Sequence, residues 1–248
     1  MPFSDYRAAL VTGASAGIGA AIAERLAQRG LRVHALARDA GRLEDLARRT
    51  GCVPHAVDVA DTEALRDAVS GFKIDILVNN AGVGHTGTIL TADESAVEEQ
   101  LAVNLRAVLH LVRLVMPGMV ERDLGHVVNI GSIAGVYNFP GNTVYHATKA
   151  AVHTLSRQLR IDARGRRVRV TEICPGRVET EIFGRLMGDR EGAQRIYYDG
   201  YETLRPADIA DAVEYAIGAP RHVNIGHIEI VPTFQVPGGL SFDRRLDG

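Results

Sequence analysis

Tryptophan is absent from this chain of 248 residues, cysteine occurs only twice, and aromatic residues make up 5% of it. Two cysteines are too few for a disulfide framework. Both Cys52 and Cys174 stand in apolar surroundings, so we expect buried free thiols in a reducing compartment. The N-terminal residues lack the apolar segment of a signal peptide, and no stretch is expected to be long enough to span a bilayer. These absences predict a cytoplasmic protein.

Neither sign of charge dominates the chain. The formal net charge is −2, which argues against a surface for nucleic acid or for an anionic membrane. A local basic run, Arg164-Gly-Arg-Arg-Val-Arg169, is interpreted as a solvated helix end and turn. We therefore expect a small-molecule substrate, with no nucleic-acid or membrane partner.

Short apolar runs alternate with longer amphipathic segments along the whole chain. The strand-like runs cover residues 7–12, 31–37, 53–57, 74–79, 126–130, 167–174 and 225–231. Runs that are apolar on both faces and separated by helices indicate a parallel sheet covered on both sides. Right-handed crossovers then give a doubly wound Rossmann fold of the α/β class. We predict one domain over residues 1–248, with the irregular, glycine-rich segment 177–205 as a mobile lid over a site.

A glycine-rich turn follows the first strand-like run. Gly13, Gly17 and Gly19 stand at the spacing G-x-x-x-G-x-G, where the first helical pattern opens. Such glycines permit a tight turn, let the backbone approach a pyrophosphate and direct a helix N-terminus at it. The turn therefore predicts a dinucleotide site.

A tyrosine and a lysine stand four residues apart in the longest helical pattern. Lys149 follows Tyr145, and Lys73 is the only other lysine in a chain otherwise rich in arginine. Residues i and i+4 share one face of a helix, so the two side chains can act together. A compact ammonium beside a phenol stabilises the phenolate. The pair predicts proton-transfer chemistry, which becomes a stronger inference with Ser132 thirteen residues before Tyr145.

Together with these motifs, Asn79-Asn80-Ala81-Gly82, Asn104 and Pro175-Gly176 resemble the short, single-domain branch of the short-chain dehydrogenases/reductases. The resemblance covers essentially the whole chain, with the motifs in the right order. It implies a seven-stranded parallel sheet of order 3-2-1-4-5-6-7 and a nicotinamide cofactor. It also implies an enzyme that transfers hydride between that cofactor and an alcohol or carbonyl.

The resemblance implies a role for each motif. Tyr145 would exchange a proton with the substrate oxygen, Ser132 would hydrogen-bond that oxygen, and Lys149 would support Tyr145 and hold the nicotinamide ribose. Asn104 would complete the catalytic group by holding a water that links Lys149 to solvent, although its side chain could instead bond to backbone. The implied cofactor contacts are Gly13, Ser15, Ala16, Gly17, Ile18, Gly19, Arg38, Asp58, Val59, Asn80, Ala81, Gly82, Tyr145, Lys149, Pro175, Gly176, Val178 and Thr180.

The end of the second strand decides between the two nicotinamide cofactors. An acidic residue there would accept hydrogen bonds from the ribose and repel a 2′-phosphate, but this chain has Arg38. Asp39 stands one residue too late and is expected to point into the helix entry. Arg38 can pair with a phosphate dianion, so we predict NADP(H). The alternative is a surface arginine in an enzyme that accepts both cofactors, and Ala16 lacks the second basic residue of many NADP-preferring relatives.

Two further stretches, 116–132 and 222–235, resemble the bacterial NADP-dependent 3-hydroxy-acid (serine) dehydrogenases. That group is itself similar to clavulanate-type aldehyde reductases and sulfoacetaldehyde reductases. The resemblance implies a small polar, often anionic, substrate that contacts Ser132, Tyr145 and Arg177. Arg177 could bind a carboxylate or sulfonate, or could be a solvated loop residue. The tyrosines of the lid could touch substrate or could pack the lid, and they are Tyr197, Tyr198 and Tyr201.

Two other functions are compatible with the sequence. One is a ketoreductase of secondary metabolism acting on a larger ketone. The other is a non-catalytic NADP-sensing protein, although such proteins usually lose the tyrosine or the lysine of the pair. No metal site is predicted, because the histidines show no metal-ligand spacing along the chain; they include His85, His153, His222 and His227. By resemblance we expect a homotetramer, or alternatively a dimer, with the tail 237–248 crossing to a neighbouring subunit.

Overall fold

The computed structural model describes residues 2–242, and its elements follow the alternation in the sequence. The strands are β1 (Ala8–Thr12), β2 (Arg32–Ala37), β3 (Val53–Ala56), β4 (Ile76–Asn79), β5 (Gly125–Ile130), β6 (Val168–Pro175) and β7 (His227–Ile230). The helices are α1 (Gly17–Gln28), α2 (Ala40–Thr50), α3 (Thr62–Val69), α4 (Glu94–Leu101), α5 (Ala107–Glu121), α6 (Thr143–Asp162), α7 (Ile182–Met187), α8 (Arg190–Tyr197) and α9 (Pro206–Gly218).

The seven strands form one sheet in the order β3-β2-β1-β4-β5-β6-β7, and every neighbouring pair is parallel. This confirms the Rossmann fold and the strand order predicted above. The order reverses between β1 and β4, where Val11 has Ala35 on one side and Val78 on the other. A crevice opens at the carboxyl ends of the strands on either side of such a switch point.

Each face of the sheet carries its own hydrophobic core, because successive residues of a buried strand point to opposite faces. On β1, Val11 belongs to one core and Leu10 to the other. Helices α1, α2 and α9 cover the first core, through Ile22, Leu26, Leu43, Leu46, Ile209 and Val213. Helices α3, α5 and α6 cover the second, through Leu65, Val69, Val108, Leu111 and Leu159.

Helices α4 and α5 are joined by a π-helical segment, Ala102–Arg106, so the long helical region predicted here is continuous but not uniform. The whole run, Glu94–Glu121, is long and apolar enough to cross a membrane by length and composition, contrary to the expectation from sequence. Half of its most apolar window is buried inside the protein, and Leu111 and Met119 lie in the second core. A buried core helix of a soluble protein can be equally long and apolar. We therefore interpret this run as a core helix.

The basic run at the start of β6 is only partly solvated, so its interpretation as a helix end and turn needs correction. Arg169 is buried and donates hydrogen bonds to Ala216 O at 3.1 Å, Ile217 O at 2.7 Å and Ala219 O at 3.2 Å. These carbonyls end helix α9, where the chain leaves acceptors without intrahelical partners and the helix dipole favours a cation. Arg169 therefore fastens α9 to the sheet.

Segment 177–205 contains more regular structure than predicted, since it includes α7 and α8. Their short lengths and glycine-rich flanks gave no clear helical pattern in the sequence. The two cysteines are free and buried, as predicted.

Candidate active site

Two cavities meet at the carboxyl ends of β1, β4, β5 and β6. The larger has a volume of about 530 Å³, and the smaller, next to β5 and α6, about 160 Å³. They form one cleft, because the residues that line both include Ile18, Asn80, Gly82 and Thr180. The cleft lies at the switch point of the sheet, where a dinucleotide would bind.

The glycine turn forms the floor of the larger cavity. Gly13 and Gly17 have φ angles of +65° and +54°, a region that favours glycine. A Cβ on Gly13 would also lie 2.9 Å from Ala81 Cα. Helix α1 begins without a side-chain hydrogen bond from its N-cap, Ala16, so its first N–H groups remain available to a phosphate.

Gly19 does not line either cavity, unlike the other residues predicted to contact the cofactor. A Cβ on Gly19 would lie 2.3 Å from Gly13 O and 2.5 Å from Asn80 Nδ2. Asn80 in turn donates from Nδ2 to Thr12 O at 2.9 Å. Gly19 therefore supports the turn on the side away from the cleft, because the absence of a side chain lets α1 pack closely against it.

The structure brings the other residues predicted to contact the cofactor or substrate together along the cleft. The larger cavity is lined by Gly13, Ser15, Ala16, Gly17, Ile18, Arg38, Asp58, Val59, Asn80, Ala81, Gly82 and Thr180. The smaller is lined by Ser132, Tyr145, Lys149, Pro175, Gly176, Arg177 and Val178. Asn104 lines neither cavity.

Arg38 and Arg42 stand at the outer end of the larger cavity, which Arg185 of α7 also lines. The side chain of Arg38 is 60% exposed and lies 3.8 Å from Asp58 Oδ2. Arg42, which the sequence analysis missed, lines the same cavity and places Nη1 3.0 Å from Glu181 Oε2. Asp39 caps α2 by accepting the Arg42 N–H at 3.0 Å, as the sequence predicted. Arg42 could have been suspected from its position in the first turn of the helix after Arg38.

The Arg42–Glu181 ion pair spans the cleft between α2 and the start of α7. Hydrogen bonds from Arg42 and Arg185 lower the pKa of the Glu181 carboxyl, so Glu181 is ionised at neutral pH. The pair therefore links α2 to the lid across the larger cavity, which both residues line.

The predicted catalytic side chains meet in the smaller cavity. Lys149 Nζ lies 5.6 Å from the centre of the Tyr145 ring and donates to Ile130 O at 2.9 Å. Ser132 Oγ accepts the Ala134 N–H at 3.1 Å, which fixes the oxygen and leaves the hydroxyl proton to be donated. The strand end of β5 and the first turns of α6 thus present a hydroxyl, a phenol and an ammonium to one small space.

Asn104 lies in the π-helical segment and acts as a clamp between chain segments. Its Oδ1 accepts the Val83 N–H at 2.8 Å, and its Nδ2 donates to Val83 O at 2.8 Å and to Thr148 Oγ1 at 3.2 Å. Both amide protons are therefore engaged with protein atoms. A water held near Asn104 and leading to Lys149 stays a prediction.

Arg177 is buried, so the alternative of a solvated loop residue is wrong. Its Nη1 donates to Tyr197 O at 3.1 Å and its Nη2 to Leu240 O at 2.6 Å. Its guanidinium lies 4.3 Å from the centre of the Phe242 ring, and burial lowers its pKa. Arg177 thus ties the lid to residues 240–242, which fold back onto their own chain. Residues 243–248 of the tail that was predicted to cross to a neighbouring subunit lie outside the described residues.

The lid tyrosines pack inside the lid, and in the described part of the chain none of the three lines the smaller cavity. Tyr197 stacks on Phe183 with ring centres 4.1 Å apart. Tyr198 donates from its hydroxyl to Thr180 O at 2.9 Å. Tyr201 lies against the Arg177 guanidinium. Of the two interpretations of this cluster, packing is therefore the one that the structure favours.

The sheet, the glycine turn and the group at the end of β5 are those of an oxidoreductase that uses a dinucleotide. The family model for short chain dehydrogenases matches residues 7–191. The chain belongs to the short-chain dehydrogenase/reductase family.

Relatives at substantial identity span nearly all of the chain. It is 41% identical over 244 residues to an uncharacterized short-chain type dehydrogenase/reductase, y4eK, of Sinorhizobium fredii, covering 98% of each protein. It is 39% identical over 247 residues to the NADP-dependent 3-hydroxy acid dehydrogenase YdfG of Salmonella typhi, covering 95% of this chain and 98% of that protein. The closed form of serine dehydrogenase complexed with NADP+ is similar with a TM-score of 0.90 at 38% identity, covering 96% of this chain and 100% of that one.

Proposed function

We propose that this enzyme transfers hydride between NADP(H) and a small polar alcohol or carbonyl of the 3-hydroxy-acid, serine-like or anionic-aldehyde class. The observation that carries the proposal is the group of Ser132, Tyr145 and Lys149 in a cavity of about 160 Å³ at the inner end of the cleft. That volume is well below the roughly 300–1,000 Å³ of sites for drug-sized ligands. The similarity to a 3-hydroxy acid dehydrogenase and to a serine dehydrogenase supports the same substrate class.

The residues present fit NADP(H). The uncapped first turn of α1 would hold the pyrophosphate. Arg38 and Arg42 would hold the 2′-phosphate, since both reach the outer end of the cleft. The relative and the solved structure named above, which are described with NADP, support this cofactor.

The nicotinamide cofactor, when bound, supplies or accepts the hydride. Ser132 would donate its hydroxyl proton to the substrate oxygen and so orient it. Tyr145 would give that oxygen a proton in reduction, or take one in oxidation. Lys149, held by Ile130 O, would favour the phenolate that remains on Tyr145.

Arg177 would act on an anionic substrate through the long-range attraction of its charge more than through a direct bidentate hydrogen bond. It lines the small cavity, yet its two terminal nitrogens already donate to backbone carbonyls. A buried guanidinium still raises the local potential, and a carboxylate or sulfonate tail would be attracted to it. Arg177→Met is expected to reduce kcat/KM for anionic aldehydes more than for neutral ones. Arg195→Met, at an exposed position on α8, is the matched control.

The test is NADPH oxidation with malonic semialdehyde, sulfoacetaldehyde, a neutral aldehyde of similar size and a bulky aryl ketone. We expect kcat/KM for the anionic aldehydes to exceed that for the neutral one by about tenfold or more, as one well-placed charge interaction contributes over 1.4 kcal/mol. Preference for the aryl ketone would favour the ketoreductase alternative instead. Tight NADPH binding without turnover of any carbonyl would favour the NADP-sensing alternative. The homotetramer, the cytoplasmic location and the mobility of the lid stay predictions.

A further inference from the structure

We infer that His153, Glu172, Cys174 and His227 form a site for a zinc-type transition-metal ion on the α6 side of the sheet. Each residue offers one ligand atom, and these four atoms all lie within 4.8 Å of one another. The site is distinct from the proposed substrate and cofactor positions. The sequence showed no metal-ligand spacing, because the ligands come from three elements that are distant along the chain.

The ligand atoms already lie close to one another. Glu172 Oε2 lies 2.6 Å from His153 Nδ1 and 3.2 Å from His227 Nδ1. Cys174 Sγ lies 3.8 Å from His227 Nδ1. Tetrahedral zinc, with bonds of about 2.0–2.3 Å, places its ligand atoms about 3.3–3.7 Å apart. Side-chain movements on the order of 1 Å would therefore bring these separations to those of a zinc site.

Regular structure fixes the four positions. Glu172 and Cys174 alternate along β6 and so face the same side of the sheet. His227 is the register partner of Glu172 on β7, and His153 comes down from α6. The two imidazole rings stand edge to face with their centres 5.5 Å apart. Ligands on strands and helices are positioned more accurately than ligands on loops.

The two carboxyl oxygens of the buried Glu172 differ in their contacts. Both histidines lie against Oε2, whereas Oε1 is buried and has no hydrogen-bond partner among the described residues. Within residues 2–242 the ion pairs of Glu172 involve histidine only, with neither lysine nor arginine. A buried carboxylate without full compensation is costly. A divalent cation at this centre would supply the missing positive charge.

The donor set selects the kind of ion. Two imidazoles, one thiolate and one carboxylate suit zinc and its neighbours, whereas calcium and magnesium prefer oxygen ligands alone. Burial raises the pKa of the Cys174 thiol, so ion binding must displace its proton. The site would thus take a borderline-soft ion such as Zn²⁺ and would not take Mg²⁺.

The cluster lies directly behind the backbone that presents Ser132. A Cβ on Gly131 would lie 2.5 Å from Glu172 Oε1 and 3.1 Å from Cys174 Sγ, so only glycine fits between the cluster and the catalytic serine. An ion here would bind the edge strand β7 to β6 and α6. Its main expected effect is therefore on stability, and the ion itself would not touch the substrate.

The experiment uses untagged full-length protein that is treated with a chelator and then dialysed. Zn²⁺ is titrated by calorimetry, and Co²⁺ is added as a spectroscopic probe. We expect one ion per chain, a cysteinate-to-cobalt absorption in the near ultraviolet, and a Tm rise of about 5 °C or more at a hundredfold excess over Kd.

Three variants separate this site from adventitious binding. Cys174→Ser should abolish the cysteinate-to-cobalt absorption. His227→Ala, at a partly exposed position that can lose its ring without a cavity, should weaken Zn²⁺ binding by about tenfold or more. His222→Ala changes an exposed histidine five residues before His227 in the chain and should leave binding unchanged. The inference is overturned if Zn²⁺ fails to bind at millimolar concentration, or if binding survives both Cys174→Ser and His227→Ala.

Discussion

Replacing Arg42 by alanine is expected to weaken the binding of NADPH while leaving that of NADH nearly unchanged. Arg42 is the less obvious of the two arginines at the outer end of the cleft, because in this structure it pairs with Glu181 at 3.0 Å. A 2′-phosphate would have to replace Glu181 as its partner. The prediction depends on whether that exchange is favourable.

The magnitude follows from the exposure of the groups involved. A hydrogen bond to a charged group contributes about 1.5–3 kcal/mol. The Arg42 and Glu181 side chains are 45% and 31% exposed, so the ion pair that the phosphate must displace contributes little. The net loss of NADPH affinity on Arg42→Ala is therefore expected to be about 5- to 30-fold. Arg38 has only a loose partner at 3.8 Å, so Arg38→Ala should cost about 10- to 150-fold.

The assay is the Kd of NADPH and of NADH, measured by calorimetry for each variant. Arg48→Ala is the matched control, since Arg48 lies on the same helix but pairs with Asp45 at the surface. Glu181→Gln should strengthen NADPH binding by up to about fivefold, because it removes the competing carboxylate. Equal losses for NADPH and NADH in Arg42→Ala, or weaker NADPH binding in Glu181→Gln, would show that Arg42 does not hold the 2′-phosphate.

Three further predictions concern the scaffold. Arg169→Met should lower the free energy of unfolding by about 3 kcal/mol and Tm by about 6–12 °C, because buried carbonyls lose a charged donor. The control Arg167→Met, at an exposed ion pair, should lower the free energy of unfolding by under about 1 kcal/mol. Similar Tm values for the two variants would contradict this role of Arg169. Gly19→Ala should weaken NADPH binding by about tenfold or more, because its Cβ would lie 2.3 Å from a backbone oxygen of the turn. The control Gly41→Ala, at a position with room for a methyl group, should bind NADPH normally. Equal NADPH affinities of the two variants would show that the turn adapts to the added methyl group. Burial lowers the pKa of His34 to about 4, so the free energy of unfolding should fall as pH drops from about 6.5 towards 4. In urea unfolding, His34→Gln should reduce that loss between pH 7 and 4.5 by about 1–2 kcal/mol. An unchanged pH dependence in the variant would exclude His34 as its cause.

The fold could be predicted well because its signals are local and repeated. Apolar runs of strand length, separated by helical patterns, indicate a parallel sheet without any knowledge of distant contacts. The helix cap at Asp39 could be predicted because it depends on residues three positions apart. The resemblance to the short-chain dehydrogenases/reductases added the strand order, which the structure confirms.

What the sequence could not show depends on contacts between distant segments. Nothing near Arg169 in the chain indicates that its guanidinium meets the end of α9. The burial of Arg177 depends on Leu240 O, and that of Glu172 on two histidines from other elements. A charged residue in sequence is usually a solvated one, so these three buried charges are the residues whose surroundings local reasoning does not predict.

Whether Tyr145 is the proton donor can be tested by the single-turnover rate of NADPH oxidation by Tyr145→Phe, measured with the best aldehyde of the panel. We expect the rate to fall by about 10²–10⁴-fold, because the proton donor is lost, while the Kd of NADPH changes by less than about threefold. A variant that binds NADPH normally and keeps more than about a tenth of the native rate would contradict the assignment of Tyr145 as the proton donor.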